Sequence, residues 1–290
     1  AAREAEVIVM DYNHVFVESV SESSLSSMSI DLQSSSLIID EAHNLPDRIK
    51  MGLELRLTLK MIKSARYEVE EYKENLEKNK VGHEDIAVSS LAISCFKRIE
   101  EGVSYWMATK MDDIEDSEHN DILVEASDLV EVIKTSFLSS LTTKDRSSTF
   151  REFSILLAKV RIDDSDGEEE TGTSCLRFLA FLETILRFEK SDAMALVFDL
   201  VGDEGRVTSC LLDPAVISST IISKAKGSVL MSGTLHPTSM YGDMLGLTSG
   251  SYEERAYSSP FAQDRRPIII CSDVTSKYTK RGKENLKRIR

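Results

Sequence analysis

Positive charge is in the minority in this chain. Its 290 residues hold 35 Lys and Arg against 49 Asp and Glu, a formal net charge of −14. Gripping a polyanion needs Lys and Arg on phosphates. That balance argues against a protein whose whole surface binds nucleic acid, and any polyanion contact is expected to be local or to lie outside these residues. Cysteine is also sparse, with four residues at 95, 175, 210 and 271. None pairs at the CxxC spacing of zinc and redox motifs. Scattered single thiols suit small buried side chains in a reducing compartment. No stretch approaches the ~18 uninterrupted apolar residues of a helical membrane span. The opening AAREAEVIVM carries acids and lacks the build of a signal peptide. What is present is a hydrophobic fraction of 41%, enough for the core of one large domain or two ordinary ones. The acid is bunched at 111–121 and 161–170, and charge runs of that kind are expected as solvated loops.

Hydrophobic periodicity divides the chain into three parts. A strand is expected at Val7–Met10, then a serine-rich connecting loop over 19–36, then a strand ending at Asp40. From about residue 46 period-two leucines (53, 55, 57 and 59) give way to three- and four-residue spacing. Amphipathic helices are expected from Met61 to beyond Leu76 and over 86–109, 120–141, 148–160 and 173–190, with no strong strand among them. After residue 193 strands return. The segments AMALVFDL and RVTSCLL flank the glycine-bounded VGDEG as a hairpin. A helix with Pro214 at its first turn follows, then strands at 227–235 and 267–272. The layout is an α/β domain interrupted by a helical block.

Two strand ends carry the chemistry. In LIIDEAHNLP (37–46) three aliphatic residues run directly into Asp40, Glu41 and His43. A short apolar run followed by polar residues reads as a buried parallel strand ending at a site, and open α/β sheets hold their ligands beyond such carboxyl ends. Asp40 there suits Mg²⁺, which keeps most of its waters and takes one or two carboxylates plus substrate phosphates. Glu41 beside it suits a base that orients or deprotonates the water attacking a γ-phosphate, and His43 can link that site to a neighbouring strand. The combination is the DEAH form of the Walker B element. Taken alone, His43 would be an ordinary surface histidine. In VLMSGTLHP (229–237) Ser232, Gly233 and Thr234 follow a second apolar run. Small hydroxyls with a glycine that permits close backbone approach suit a hydrogen-bonding relay. Alone the tripeptide is weak, since such residues cap helices in any protein. About 190 residues after a DEAH box it resembles the coupling motif expected of a superfamily 2 helicase.

The order AEVIVMDYNHVF, LIIDEAHNLPD, helical block, CLLDPAVI, VLMSGTLHPTSMYGDMLGL and DVTSKYTKRGKENLKRI resembles the middle of an XPD-family DNA helicase, with an archaeal flavour. The resemblance runs along nearly the whole chain, although the helical block has no sharp motif of its own. It implies a RecA-like parallel-sheet motor domain, present in part, interrupted by a helical arch domain. The implied divisions are 1–45 (first motor domain with the DEAH box), 46–194 (arch), 195–274 (first motor domain continued, with the SGT motif) and 275–290 (start of the second motor domain). Asp40 then matches the Mg²⁺-binding acid, Glu41 the hydrolytic base, and His43, Ser232 and Thr234 the motifs that pass nucleotide state to the DNA. ATP and Mg²⁺ are the implied cofactors and single-stranded DNA, travelled 5′ to 3′, the implied partner. A [4Fe–4S] cluster is implied by the family, with ligands outside these residues. Repair or transcription factors as partners, a monomeric state, a role in DNA repair (nucleotide excision repair in the eukaryotic member) and a cytoplasmic location, nuclear if eukaryotic, follow from the same resemblance.

The departures are equally specific. No GxxxxGK[ST] phosphate loop occurs in these residues, so the chain is expected to be a central piece that does not hydrolyse ATP alone. Tyr12, Asn13 and His14 match a stretch near the DNA path, where an aromatic side chain can stack on a base; a half-buried loop tyrosine accounts for Tyr12 equally well. Tyr105 and Trp106 suit core positions. The basic tail from Lys277 to Arg290 suits either phosphate contact or a solvated helix face. The rival reading is a non-catalytic helical scaffold or DNA-binding module on a degenerate ATPase, and the retained Asp40–Glu41 pair argues against it.

Overall fold

A computed structural model of the chain describes residues 4–80, 82–115, 119–141, 146–160 and 173–259, and beyond them 274, 275, 277, 282, 283, 287 and 288. The elements run α1 (Asn13–Phe16), α2 (Glu18–Met28), β1 (Ser36–Ile39), α3 (Leu45–Gly52), β2 (Arg56–Thr58), α4 (Leu59–Asn79), α5 (His83–Glu115), β3 (Asp121–Val124), α6 (Ala126–Ser139), α7 (Arg146–Lys159), α8 (Ser174–Arg187), β4 (Met194–Val201), β5 (Glu204–Leu211), α9 (Ala215–Lys224), β6 (Gly227–Leu230) and α10 (Thr238–Met244). The fold is α/β, with a parallel strand pair and a large helical body, as the sequence implies. Two compact units divide it, Ala1–Tyr252 and Glu253–Arg290. In the second, Lys283, Lys287 and Arg288 are helical and Arg255 pairs with Glu253 at 3.1 Å.

Two separate cores organise the first unit. The smaller is built by Val15, Phe16, Ile39, Leu45, Ile49, Leu211, Ile217 and Leu245. It lies under the parallel pair β1–β6, registered from Ser36 opposite Gly227 to Ile39 opposite Leu230. Ile39 is buried, whereas Ile38 and Val229 are 71% and 56% exposed. The expected burial of the whole aliphatic run is therefore corrected: only one face of this two-stranded sheet meets a core.

The larger core joins α4–α8 to a four-stranded antiparallel sheet in the order β2-β5-β4-β3. The 33-residue α5 spans about 50 Å at 1.5 Å per residue. Phe96 packs its ring 5.3 Å from those of both Phe153 and Phe178, and Trp106 meets Phe198 edge-on at 6.0 Å. Each fully buried Phe or Leu here contributes about 1.5–3 kcal/mol. Trp106 is thus core, as expected, while its neighbour Tyr105 is 77% exposed. Helix α8 begins on an acid from another helix. Glu68 of α4 accepts the backbone N–H of Ser174 at 2.7 Å and of Cys175 at 2.8 Å, and Thr173 Oγ1 accepts that of Leu176 at 3.2 Å. All three donors that open the helix are therefore satisfied.

The chain crosses between the cores before β2, at the end of α8 (Ile185 in the larger core, Phe188 in the smaller) and along the β4–β5 hairpin. Leu53 packs on the smaller core and Leu55 on the larger. The hairpin β4–β5 has its base, Ala193 and Leu211, in the smaller core and Phe198 and Val207 in the larger. Ser209, fully buried, ties the first and last of these crossings together. Its Oγ donates to Leu53 O at 2.7 Å and accepts from Leu55 N at 3.0 Å.

Three local expectations are corrected. Val7–Met10 is not a strand; Val7 and Val9 are 81% and 95% exposed, and no strand among the described residues pairs with them. The serine-rich segment is helical over Glu18–Met28, held by an ion pair from Arg187 to Glu18, and closes on Ser29 in the left-handed region (φ 59°). Residues 121–124 form β3 rather than the start of a helix, because β4 offers a free edge from Asp199 to Leu196 and the β-branched Ile122 and Val124 suit it. Expectations for the acidic run 161–170, for a strand at 267–272 and for most of the basic tail lie outside the described residues.

Candidate functional site

Parallel pairing places the two sequence motifs side by side. Because Ile39 lies opposite Leu230, the residues that follow each strand leave the sheet at the same end. The ladder continues past both strands, Met231 N donating to Ile39 O at 2.9 Å and Ala42 N to Met231 O at 3.0 Å. Between them the chain turns sharply. Glu41 adopts φ 48° and ψ 39°, a left-handed conformation that costs a non-glycine residue about 1–2 kcal/mol. A 3-10 turn over Ala42–Asn44 follows, and Ala42 is completely buried.

The side chains form one network. Ser232 Oγ lies 3.1 Å from Glu41 Oε2, 2.7 Å from His43 Nδ1, 3.1 Å from Thr234 N and 3.3 Å from Thr234 Oγ1. His43 Nδ1 is itself 3.2 Å from Glu41 Oε2. A carboxylate only accepts, so Ser232 donates its hydroxyl hydrogen to Glu41, and Thr234 N–H donates to Ser232. In the tautomer that carries a proton on Nδ1, His43 donates to the same hydroxyl oxygen. Asp40 stands apart, exposed, with Oδ1 accepting from Glu41 N at 2.9 Å.

Of the residues singled out from sequence, Glu41, His43, Ser232 and Thr234 thus meet directly, and Asp40 is their neighbour. At Gly233 a Cβ would meet nothing within 4 Å. Tyr12, Asn13 and His14 have different neighbours. The Tyr12 hydroxyl donates to Asp40 O at 2.5 Å and lies 3.2 Å from Glu41 O. Asn13 is exposed and lines a shallow hollow with Val17, Arg48 and Gly52. His14 Nδ1 meets Ser24 Oγ at 2.8 Å. No sequence signal announced the Tyr12 contact, which joins residues 28 and 29 positions apart.

Residues 1–62 match the DEAD_2 family model. That segment holds Tyr12 and the whole Asp40–His43 turn, and the match bears out, at this end of the chain, the resemblance drawn from the motifs. It supports a helicase-family reading. A solved structure titled XPD helicase is similar at 17% identity, with a TM-score of 0.43. The alignment covers 99% of this chain and 42% of that one, so the chain spans less than half the length of that protein. No curated protein matches the chain.

Cofactor chemistry follows from the donors present. Among the described residues no group of three His, Cys, Asp or Glu could hold a metal by itself. The exposed Asp40 carboxylate instead fits a cation that brings its own waters and phosphates, as Mg²⁺ does. The described cysteines do not fit an iron–sulphur cluster. They are free thiols, with Cys95 and Cys175 buried and Cys210 half-buried. Burial pushes the Cys95 thiol up to about 11, and it raises Cys175 too, helped by the Glu68 carboxylate. Among the described residues, no helix is long and apolar enough to cross a membrane.

Proposed function

We propose that the chain is the central part of an ATP-dependent DNA helicase of the XPD type, moving 5′ to 3′ on single-stranded DNA in DNA repair. The observation that carries the proposal is the junction of the two strand ends, where Glu41, His43 and Ser232 share hydrogen bonds across 189 to 191 residues of sequence. Asp40 would hold Mg²⁺ on the nucleotide phosphates, which gives the charge neutralisation that phosphoryl transfer needs. Glu41 orients the attacking water and takes its proton. A change in what Glu41 binds must alter its hydrogen bond to Ser232, and through Ser232 and Thr234 it reaches the strand end that follows β6. That is a physical route from nucleotide state to another part of the motor.

The helical body built on α4–α8 is the proposed arch. The hairpin β4–β5 packs with it through Phe198 and Val207, so we place the return to the motor domain at the base of that hairpin. The surplus of acid over base keeps the DNA contact local.

The test is unwinding by the intact protein with Mg²⁺ and ATP. A duplex with a 5′ single-stranded tail should open and one with a 3′ tail should not, and Asp40→Ala should abolish the activity. Opening of the 3′-tailed duplex alone would overturn the polarity, and activity that survives Asp40→Ala would remove that residue from the metal role. Residues 1–290 contain no GxxxxGK[ST] loop and on their own should not turn over ATP.

A further inference from the structure

We propose that Tyr12 is a positioning residue for the base Glu41: its hydroxyl fixes the left-handed turn from which Glu41 projects. The proposal rests on the catalytic reading of Glu41 given above. Tyr12 Oη reaches two successive carbonyls, those of Asp40 at 2.5 Å and Glu41 at 3.2 Å. They belong to the two peptide planes on either side of the Glu41 Cα. The angles φ and ψ of a residue are the rotations of those two planes. A group that holds both carbonyls therefore holds φ and ψ together, and with them the direction of the Cα–Cβ bond. One hydroxyl can meet both only where the chain turns sharply, as it does at Glu41 (φ 48°, ψ 39°).

Such a conformation persists only where its surroundings over-determine it. The other restraints come from the turn itself, where Glu41 N donates to Asp40 Oδ1 at 2.9 Å and Asn44 N to Glu41 O at 2.9 Å, and from the strand alongside, through Met231 O. Tyr12 adds a restraint from a separate element. Its ring packs on the smaller core, and its own carbonyl accepts from Val15 N at 3.0 Å and Phe16 N at 2.8 Å. Those two residues are buried, so the platform that carries the phenol is anchored. Its acidity is consistent with the geometry: burial first, then the Asp40 and Glu41 carboxylates, raise the phenol above its ordinary value against the lowering effect of Arg48. The hydroxyl thus stays a donor. A tyrosine committed in this way is not splayed out to stack on a base.

Tyr12→Phe removes the hydroxyl and keeps the ring. In the 290-residue chain, hydrogen exchange at the Ala42 and Asn44 amides should quicken about five-fold, the worth of one lost hydrogen bond, with the β4–β5 hairpin unchanged. In the intact protein kcat for ATP should fall about ten-fold, with KM for ATP and affinity for single-stranded DNA unchanged. Wild-type exchange at residues 42–44 would overturn the proposal, whatever the turnover. So would accelerated exchange with unchanged kcat, which would make the contact merely structural. Weakened DNA binding in Tyr12→Phe with normal turnover would assign Tyr12 to the DNA instead. An intact wild-type protein that hydrolyses no ATP would overturn both the helicase reading and the positioning role, even if the exchange rates confirmed the contact.

Discussion

Residues at the candidate site are organised around one strained position. Glu41 occupies the left-handed region, its carboxylate accepts from Ser232, and Tyr12 bonds both flanking carbonyls. The phenol gives this arrangement a pH signature. Burial and the two carboxylates favour the protonated form in the folded state, so the folded value lies above the unfolded one, about 10. The stabilisation from this group is therefore complete below about pH 10 and is lost as the pH rises through the folded value. The ultraviolet phenolate signal of the wild type minus that of Tyr12→Phe should appear at higher pH than free tyrosine does. A difference signal at or below the ordinary phenol range would show that Tyr12 is not enclosed by the turn.

Elements of the helical body hold together through contacts that single segments do not reveal. Glu68 is the clearest case. It sits on α4 yet supplies the first two hydrogen bonds of α8, where a negative charge is also favoured by the helix dipole. Glu68→Ala should lower stability by on the order of 2 kcal/mol, because charge-assisted bonds are lost and two partly buried donors are left open. Glu68→Gln should recover part of it. A thermal or urea titration reads both, and a loss within ~0.5 kcal/mol for the alanine variant would mean that Thr173 caps the helix unaided.

The same scale shows what was legible in the sequence. The long helices were, because Ile62, Ala65 and Val69 in α4, or Phe178, Leu182 and Ile185 in α8, repeat at helical spacing and all are buried. So were β1 and β6, whose apolar runs end abruptly in polar residues. The segment 121–124 was not, since DILV precedes a helical pattern without a break and becomes a strand only where β4 offers an edge. The serine-rich α2 was not either, as its hydrophobic pattern is weak and its support comes from Arg187 and from His14 on Ser24. In the site, residue types and spacing pointed to Asp40, Glu41, His43, Ser232 and Thr234. The resemblance singled out Tyr12 only for the DNA path; its contact with the Asp40 and Glu41 carbonyls is long-range and to backbone, so no motif signals it.

At the largest scale, the unit Ala1–Tyr252 holds two cores joined by short crossings. One core carries the strand pair and the candidate site, the other the helices and the antiparallel sheet, and Leu53, Ser209 and the base of the β4–β5 hairpin connect them. In the function proposed above, the helical body is the arch and the strand pair, whose ends share one network, belongs to the motor domain. The claim on which the whole account depends is that Glu41 is the hydrolytic base at the end of β1. It is tested most directly by ATP turnover in the intact protein carrying Glu41→Gln, measured beside the binding of ATP and of single-stranded DNA. Glutamine keeps the size and accepts from Ser232 but cannot take the proton, so turnover should fall on the order of 10²-fold or more while both affinities stay at wild-type values. Near-normal turnover in the variant would contradict the account.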